Sequence, residues 1–210
     1  MHILNKHFDK IFVITLEGSS RMEKMVERLN GIEYEFFYGV NGATIDKTPY
    51  IEMGSKQTRG QLGCTLSHYK IYEKMVSENI DKVLILEDDC LFNENLNNLD
   101  TYMDQLPEDW GLFYVGWDNN ISLPKNFTEN LCVLSDKFII AIEGTQSIAV
   151  RPHYAKRLLE LNKQAHYTAD GLLTESIKQY GLKAYVSVPK ISTQDGLGSI
   201  TCDIDRIYGH

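Results

Sequence analysis

Residues 83–90 read Val-Leu-Ile-Leu-Glu-Asp-Asp-Cys, four apolar residues running without a spacer into three consecutive carboxylates. An unbroken apolar run of this length fits a buried strand, and the acids then stand together at its end. If strand alternation continues, Glu87 and Asp89 leave one face and Asp88 the other. A carboxylate pair on one face suits a hard divalent cation that keeps open positions for phosphate oxygens, which points to chemistry on a diphosphate. Read by itself, the same triplet also fits a solvated acidic turn.

The segment upstream narrows the choice. Residues 59–68 read Arg-Gly-Gln-Leu-Gly-Cys-Thr-Leu-Ser-His, and Leu62, Leu66, Tyr69, Tyr72 and Val76 continue from it at helical spacing. Glycines at a helix start let backbone N–H groups come close to an anion, and Arg59 adds positive charge. The competing reading is that Gly60 and Gly63 only shape a turn.

Together, RGQLGCTLSH and VLILEDDC resemble glycosyltransferase family 25, the group that contains lipooligosaccharide and collagen hydroxylysine galactosyltransferases. Ile11 to Leu16 followed by Arg21 looks like the family's first strand and arginine-bearing turn. Gly39-Val40-Asn41-Gly42 is similar to its short glycine signature, Gly144 to Val150 to its glycine-threonine strand, and Asp170 to Leu173 to its late acidic segment. The matches run in order over roughly residues 10–200. Asn41 stands where an Asp is usual, and Gly171 follows Asp170 where a bulky residue is common.

The resemblance implies a GT-A type nucleotide-sugar-binding sandwich that transfers a hexose from a UDP-sugar with inversion, helped by Mn2+ or Mg2+. It places Thr15, Leu16, Glu17 and Arg21 against base, ribose or phosphate, with Asn41 and Gly42 nearby and Arg59, Gly60, Gly63 and Ser67 beside the donor. Asp89 is the expected metal ligand, and Glu87 or Asp88 serves either the metal or ribose hydroxyls. A divalent cation offsets the charge that develops on a departing diphosphate, which is why carboxylates on a rigid strand end are needed. Inversion requires a base, for which Asp170 is the candidate, although Asp at a helix start is also a cap. His68, among apolar neighbours, reads as a hydrogen-bonded structural histidine. Gln194, Asp195 and His210 are candidate late metal or phosphate contacts.

At 210 residues with 43% hydrophobic and 24% charged content, the chain fits one domain spanning 1–210. A net charge of −8 opposes a nucleic-acid partner, since binding a phosphate backbone requires a basic surface. Cys64, Cys90, Cys132 and Cys202 have no Cys-x-x-Cys spacing and no neighbouring His to complete a zinc site, and read as reduced, mostly buried thiols. Neither a signal-peptide pattern nor a membrane-length apolar run is visible, so a cytoplasmic chain is expected. The Asn126-Phe127-Thr128 sequon matters only in a secretory compartment.

Strands are expected at 11–16, 34–38, 83–86, 112–115, 138–142, 146–150 and 184–188. Ser20-Arg21-Met22-Glu23 reads as a capping box opening a helix with Met22, Val26 and Leu29 inward and Gly31 closing it. Further helices are expected at 153–162, burying Tyr154, Leu158 and Leu161, and at 170–180, burying Leu173, Ile177 and Tyr180. Residues 93–98 and 117–125 suit loops. The alternation predicts an α/β sandwich with a mostly parallel sheet, whose ligands sit beyond the strands' C-terminal ends. Asp-x-Asp phosphohydrolases carry their acidic pair on the first strand, where this chain has Ile-Thr-Leu-Glu. The activity that the resemblance implies is hexosyl transfer from UDP-galactose, UDP-glucose or UDP-N-acetylglucosamine to a glycan or glycoprotein. The alternative is a catalytically weak nucleotide-sugar-binding or hydrolysing module of the same fold.

Overall fold

A computed structural model describes residues 1–117, 131–134 and 144–196. In chain order the elements are α1 (Ile3–His7), β1 (Lys10–Thr15), α2 (Arg21–Arg28), β2 (Glu35–Tyr38), α3 (Thr48–Glu52), α4 (Arg59–Glu78), β3 (Val83–Glu87) and β4 (Cys90–Phe92). There follow α5 (Leu99–Gln105), β5 (Leu112–Tyr114), β6 (Leu131–Leu134), β7 (Ser147–Val150), α6 (Pro152–Leu161), α7 (Ala169–Lys178), β8 (Ala184–Ser187) and β9 (Ser192–Gln194).

Seven strands form one sheet in the order β2-β1-β3-β7-β5-β8-β6, and β4 pairs with β9 in a separate ribbon. The strand pairs β1–β2, β1–β3 and β5–β8 are parallel, whereas β7 runs antiparallel to β3 and β5, and β6 antiparallel to β8. The expected α/β class with a mostly parallel central sheet is the one found. Alternate residues of each strand feed two cores. Phe12, Val83, Ile85, Ile148 and Val150 pack under α4, α6 and α7 with Ile71, Met75, Leu158 and Leu173. Ile11, Val13, Leu84, Leu86 and Ala149 face the other way, toward Leu4, Met25, Leu99 and Tyr102 on α1, α2 and α5. Both layers are needed because a central strand such as β3, buried on each face, has no side to give to water.

Several local expectations are corrected. The Ser20 capping box does not form: Ser20 is already helical at φ −65°, ψ −12°, and the Ser19 hydroxyl instead accepts the Arg21 N–H. In α2 the buried residue is Met25, with Leu29 buried just past the helix end, while Val26 is 54% exposed. On α4 the buried stripe is Leu62, His68, Ile71, Tyr72 and Met75, not Val76, because the helix presents its polar His68 as well as its apolar side to the sheet. Tyr180 lies past the end of α7 and is exposed. Residues 93–98 are not a plain loop. Asn93 caps a 3-10 turn at Glu94–Asn98 that leads into α5. The expected strand at 138–142, the loop residues 118–125, Glu143, Asp118, the sequon and His210 lie outside the described residues.

Candidate active site

The parallel strands β1 and β3 end side by side at Thr15 and Glu87, and the start of α4 faces that edge. Between them lies a cleft of about 90 Å³, open to solvent, lined by Thr15, Leu16, Arg21, Gly42, Gly60, Cys64, Ser67, His68 and Glu87 to Asp89, with Ile14 and Val40. This is the position beyond the strand ends where open α/β sheets hold ligands.

The three acids differ from the alternation expected of them. β3 ends at Glu87, and Asp88 and Asp89 already belong to a turn. Instead of pointing apart, Asp88 and Asp89 both meet Arg21: Nη1 lies 3.3 Å from Asp88 Oδ1 and 3.7 Å from Asp89 Oδ2. Asp88 Oδ2 also accepts from Thr15 Oγ1 at 2.7 Å and Ser19 Oγ at 3.5 Å. The end of β1 and the start of α2 thus clamp the acidic turn, since α2 delivers Arg21 at its first position. Glu87 turns toward α4 and β7, accepting from Thr145 Oγ1 and lying 3.2 Å from His68 Nε2.

Charge in the cluster is unevenly compensated. Burial pushes the Glu87 carboxyl up, but the hydrogen bond and charge of His68, the Thr145 hydroxyl and Arg21 outweigh it, leaving the group below its ordinary value. Asp89 goes the other way. Burial and the charges of Glu87, Asp88 and Asp195 overcome Arg21 and raise it to about 7. Its Oδ1 is buried without a hydrogen-bond partner. A carboxylate oxygen that is buried and unpaired, amid surplus negative charge, fits a bound cation.

The α4 start is built differently from a glycine turn. Thr58 caps the helix and forms a reciprocal capping box with Gln61, a pairing written in the sequence as Thr-x-x-Gln. Gly60 and Gly63 are helical. A Cβ on Gly63 would lie 2.7 Å from the Val40 carbonyl oxygen, and one on Gly42 would run into the Arg59 carbonyl. These glycines let α4 press backbone to backbone on the 40–42 segment. Ser67 locks the same contact, donating to the Gly63 carbonyl and accepting the Val40 N–H at 2.6 and 2.8 Å. The Arg59 guanidinium donates to the Ile45 carbonyl, outside the cleft lining. Glu17 is exposed and Asn41 caps the following 3-10 turn with its side chain. Neither they nor Gly63 line the cleft.

Asp170 sits in the first turn of α7, where Thr168 is the cap. Its Oδ1 accepts from Thr168 Oγ1 at 2.6 Å and from the Gly171 N–H at 2.8 Å. It does not line the cleft, yet its charge is felt at Cys64 on the cleft wall. Gln194 ends β9, and Asp195 follows it; the β4–β9 ribbon brings Asp195 beside Asp89, whose carbonyl accepts the Asp195 N–H at 2.9 Å. Arg28 Nη2 holds the Asp195 carboxylate at 2.6 Å.

Three features of the site escaped the sequence reading. Cys64 lies one helical turn from His68, a Cys-x-x-x-His spacing that was readable once the helix was assigned. Thr145 reaches Glu87 from just before β7, and the lack of a partner for Asp89 Oδ1 depends on tertiary packing alone.

Residues 8–173 match the sequence profile of Glycosyltransferase family 25 (LPS biosynthesis protein). The chain belongs to this glycosyltransferase family. Among curated proteins it is similar to human procollagen galactosyltransferase 2, with 28% identity over 180 residues covering 72% of this chain and 29% of that protein. A glycosyltransferase 25 family member of Drosophila melanogaster is 37% identical over 101 residues, which cover 40% of this chain and 16% of that protein. The chain thus spans under a third of the curated relatives it matches. Among solved structures, a glycosyltransferase involved in glycosylation of the major capsid of PBCV-1 aligns with a TM-score of 0.47 and 11% identity over 96% of this chain and 98% of that one.

Proposed function

We propose that the chain is a glycosyltransferase that moves a hexose, with galactose foremost, from a UDP-sugar to a glycan or glycoprotein hydroxyl with inversion at the anomeric carbon. The observation that carries this reading is the cleft at the ends of β1 and β3, where Asp89 Oδ1 is buried and unpaired beside Asp88 and Glu87. The procollagen galactosyltransferase relatives favour galactose and a glycoprotein acceptor.

Asp89, together with Asp88 or Glu87, would hold a Mn2+ or Mg2+ ion. Such an ion acts as a Lewis acid that offsets the charge growing on the departing diphosphate. Thr15 and Leu16 form the wall against which a nucleoside lies, and Arg21, drawn into the acidic turn, keeps Asp88 and Asp89 oriented. Gly42 and Gly60, both buried, line the cleft with backbone alone, so no side chain of theirs stands in a donor's way. Asp170 is the proposed base, accepting the proton of the acceptor hydroxyl as that oxygen attacks.

A thermal-shift screen of nucleotide sugars with and without manganese tests the reading, because a ligand bound only by the native state raises its melting temperature. UDP and UDP-galactose are expected to stabilise the protein in manganese, and transfer or donor hydrolysis to release UDP. No stabilisation by any uridine nucleotide, with the protein folded, rejects it.

A further inference from the structure

A second set of metal-binding donors lies on the wall of the same cleft. Cys64 Sγ, a ring nitrogen of His68 and a carboxylate oxygen of Glu87 all lie within 4.8 Å of one another. The helix supplies two of them, since Cys64 and His68 are four residues apart on α4 and share one face. The end of β3 supplies the third. His68 is 1% exposed, with Nε2 3.2 Å from Glu87 Oε1 and Nδ1 lacking any hydrogen-bond partner. A buried ring nitrogen left unpaired costs free energy that a ligand or a shifted ring recovers.

The donor types separate this set from the acidic turn. Asp88 and Asp89 offer oxygen alone, the preference of magnesium and manganese, whereas thiol, imidazole and carboxylate are the ligands of zinc. We infer that Cys64, His68 and Glu87 form a three-ligand site for zinc or a similar borderline ion, chemically distinct from the oxygen-only turn and exclusive of donor binding. On entry the Cys64 thiol gives its proton to solvent and binds as thiolate, and the His68 ring binds neutral. Three protein ligands leave a fourth position, which falls in the cleft because all three residues line it. Glu87 is common to the two sets, because it lines the cleft beside Asp88 and Asp89 and stands 3.2 Å from His68, so an ion held with Cys64 and His68 occupies a carboxylate that a donor-bound cation would use. The exclusion of donor rests on the glycosyltransferase reading; the site itself does not.

Cobalt is the probe, since a thiolate ligand gives Co2+ a near-ultraviolet charge-transfer band that oxygen and nitrogen ligands do not. Titration of the metal-free full chain is expected to produce that band, Cys64→Ser to abolish it, and Asp89→Asn to keep it. A band that survives Cys64→Ser, or no band in the wild type, overturns the site. Should Cys64→Ser fail to fold, X-ray absorption of the zinc-loaded wild type decides. One sulfur neighbour at about 2.3 Å with imidazole nitrogen is expected, and a shell of oxygen and nitrogen only contradicts it. Calorimetry then tests exclusion: UDP that binds in manganese is expected to lose its binding heat when zinc is added, and undiminished binding overturns that half. Absence of UDP binding before zinc is added counts against the glycosyltransferase reading instead, and leaves the cobalt result standing.

Discussion

At the scale of single residues, the site is a problem of unbalanced charge. Asp89 carries a carboxyl raised to about 7 by burial and by Glu87, Asp88 and Asp195, against Arg21. A raised acid favours the protonated fold, so its contribution is fully present below the unfolded aspartate value of about 4 and is lost as pH rises through about 7. In EDTA the wild type is therefore expected to lose several degrees of melting temperature between pH 5 and 8 relative to Asp89→Asn, which has nothing to ionise there. Parallel melting curves of the two proteins would show Asp89 to be ordinary. Gly63 poses a different constraint at the same scale. Its missing Cβ allows the 2.7 Å approach to the Val40 carbonyl, so Gly63→Val is expected to cost about 1–3 kcal/mol in denaturant unfolding through overpacking. An unchanged midpoint would mean that α4 shifts freely off the 40–42 segment. The resemblance marked Thr15 and Arg21 as nucleotide contacts, but that both are held by Asp88, with Arg21 also near Asp89, is visible only in the fold. Arg59 was not, since only the fold shows that its guanidinium is taken by the Ile45 carbonyl.

At the scale of elements, β3 and α4 were readable because each carries a strong local signal, an unbroken apolar run in one and a long 3.6-residue period in the other. What the period could not show is which way α4 turns its polar residues. His68 faces the sheet because Glu87 waits there, a partner 19 positions away. The β4–β9 ribbon was invisible for a similar reason. Two three-residue strands far apart in sequence, with Arg28 of α2 bridging the Cys90 carbonyl and the Asp195 carboxylate, leave no periodic trace. The start of α7 was legible as a helix end, but not the division of labour within it. Thr168 is the cap, and Asp170 shares the Gly171 N–H with it. Asp170→Asn is thus expected to leave the melting temperature nearly unchanged, since Asn accepts the same bond. If Asp170 is the base, initial-rate transfer falls by roughly 10²–10⁴-fold while UDP affinity holds. Near-wild-type turnover would reject Asp170 as the base.

At the scale of the whole molecule, two apolar layers clamp one sheet, and among the described residues the acidic turn, Cys64 and His68 gather at the edge where the parallel strands β1 and β3 stop. Glycine packing brings α4 to that edge, β7 adds Thr145, and the β4–β9 ribbon adds Asp195. Among the described residues no helix is long and apolar enough to cross a membrane. The central claim is that the acidic turn binds a nucleotide diphosphate through a divalent cation held by Asp89. Calorimetric titration of UDP into the wild type and Asp89→Asn, each in manganese and in EDTA, tests it most directly. Manganese is expected to strengthen UDP binding to the wild type, and Asp89→Asn to remove most of that gain while remaining folded. Equal UDP affinity in manganese and in EDTA for the wild type would contradict the account.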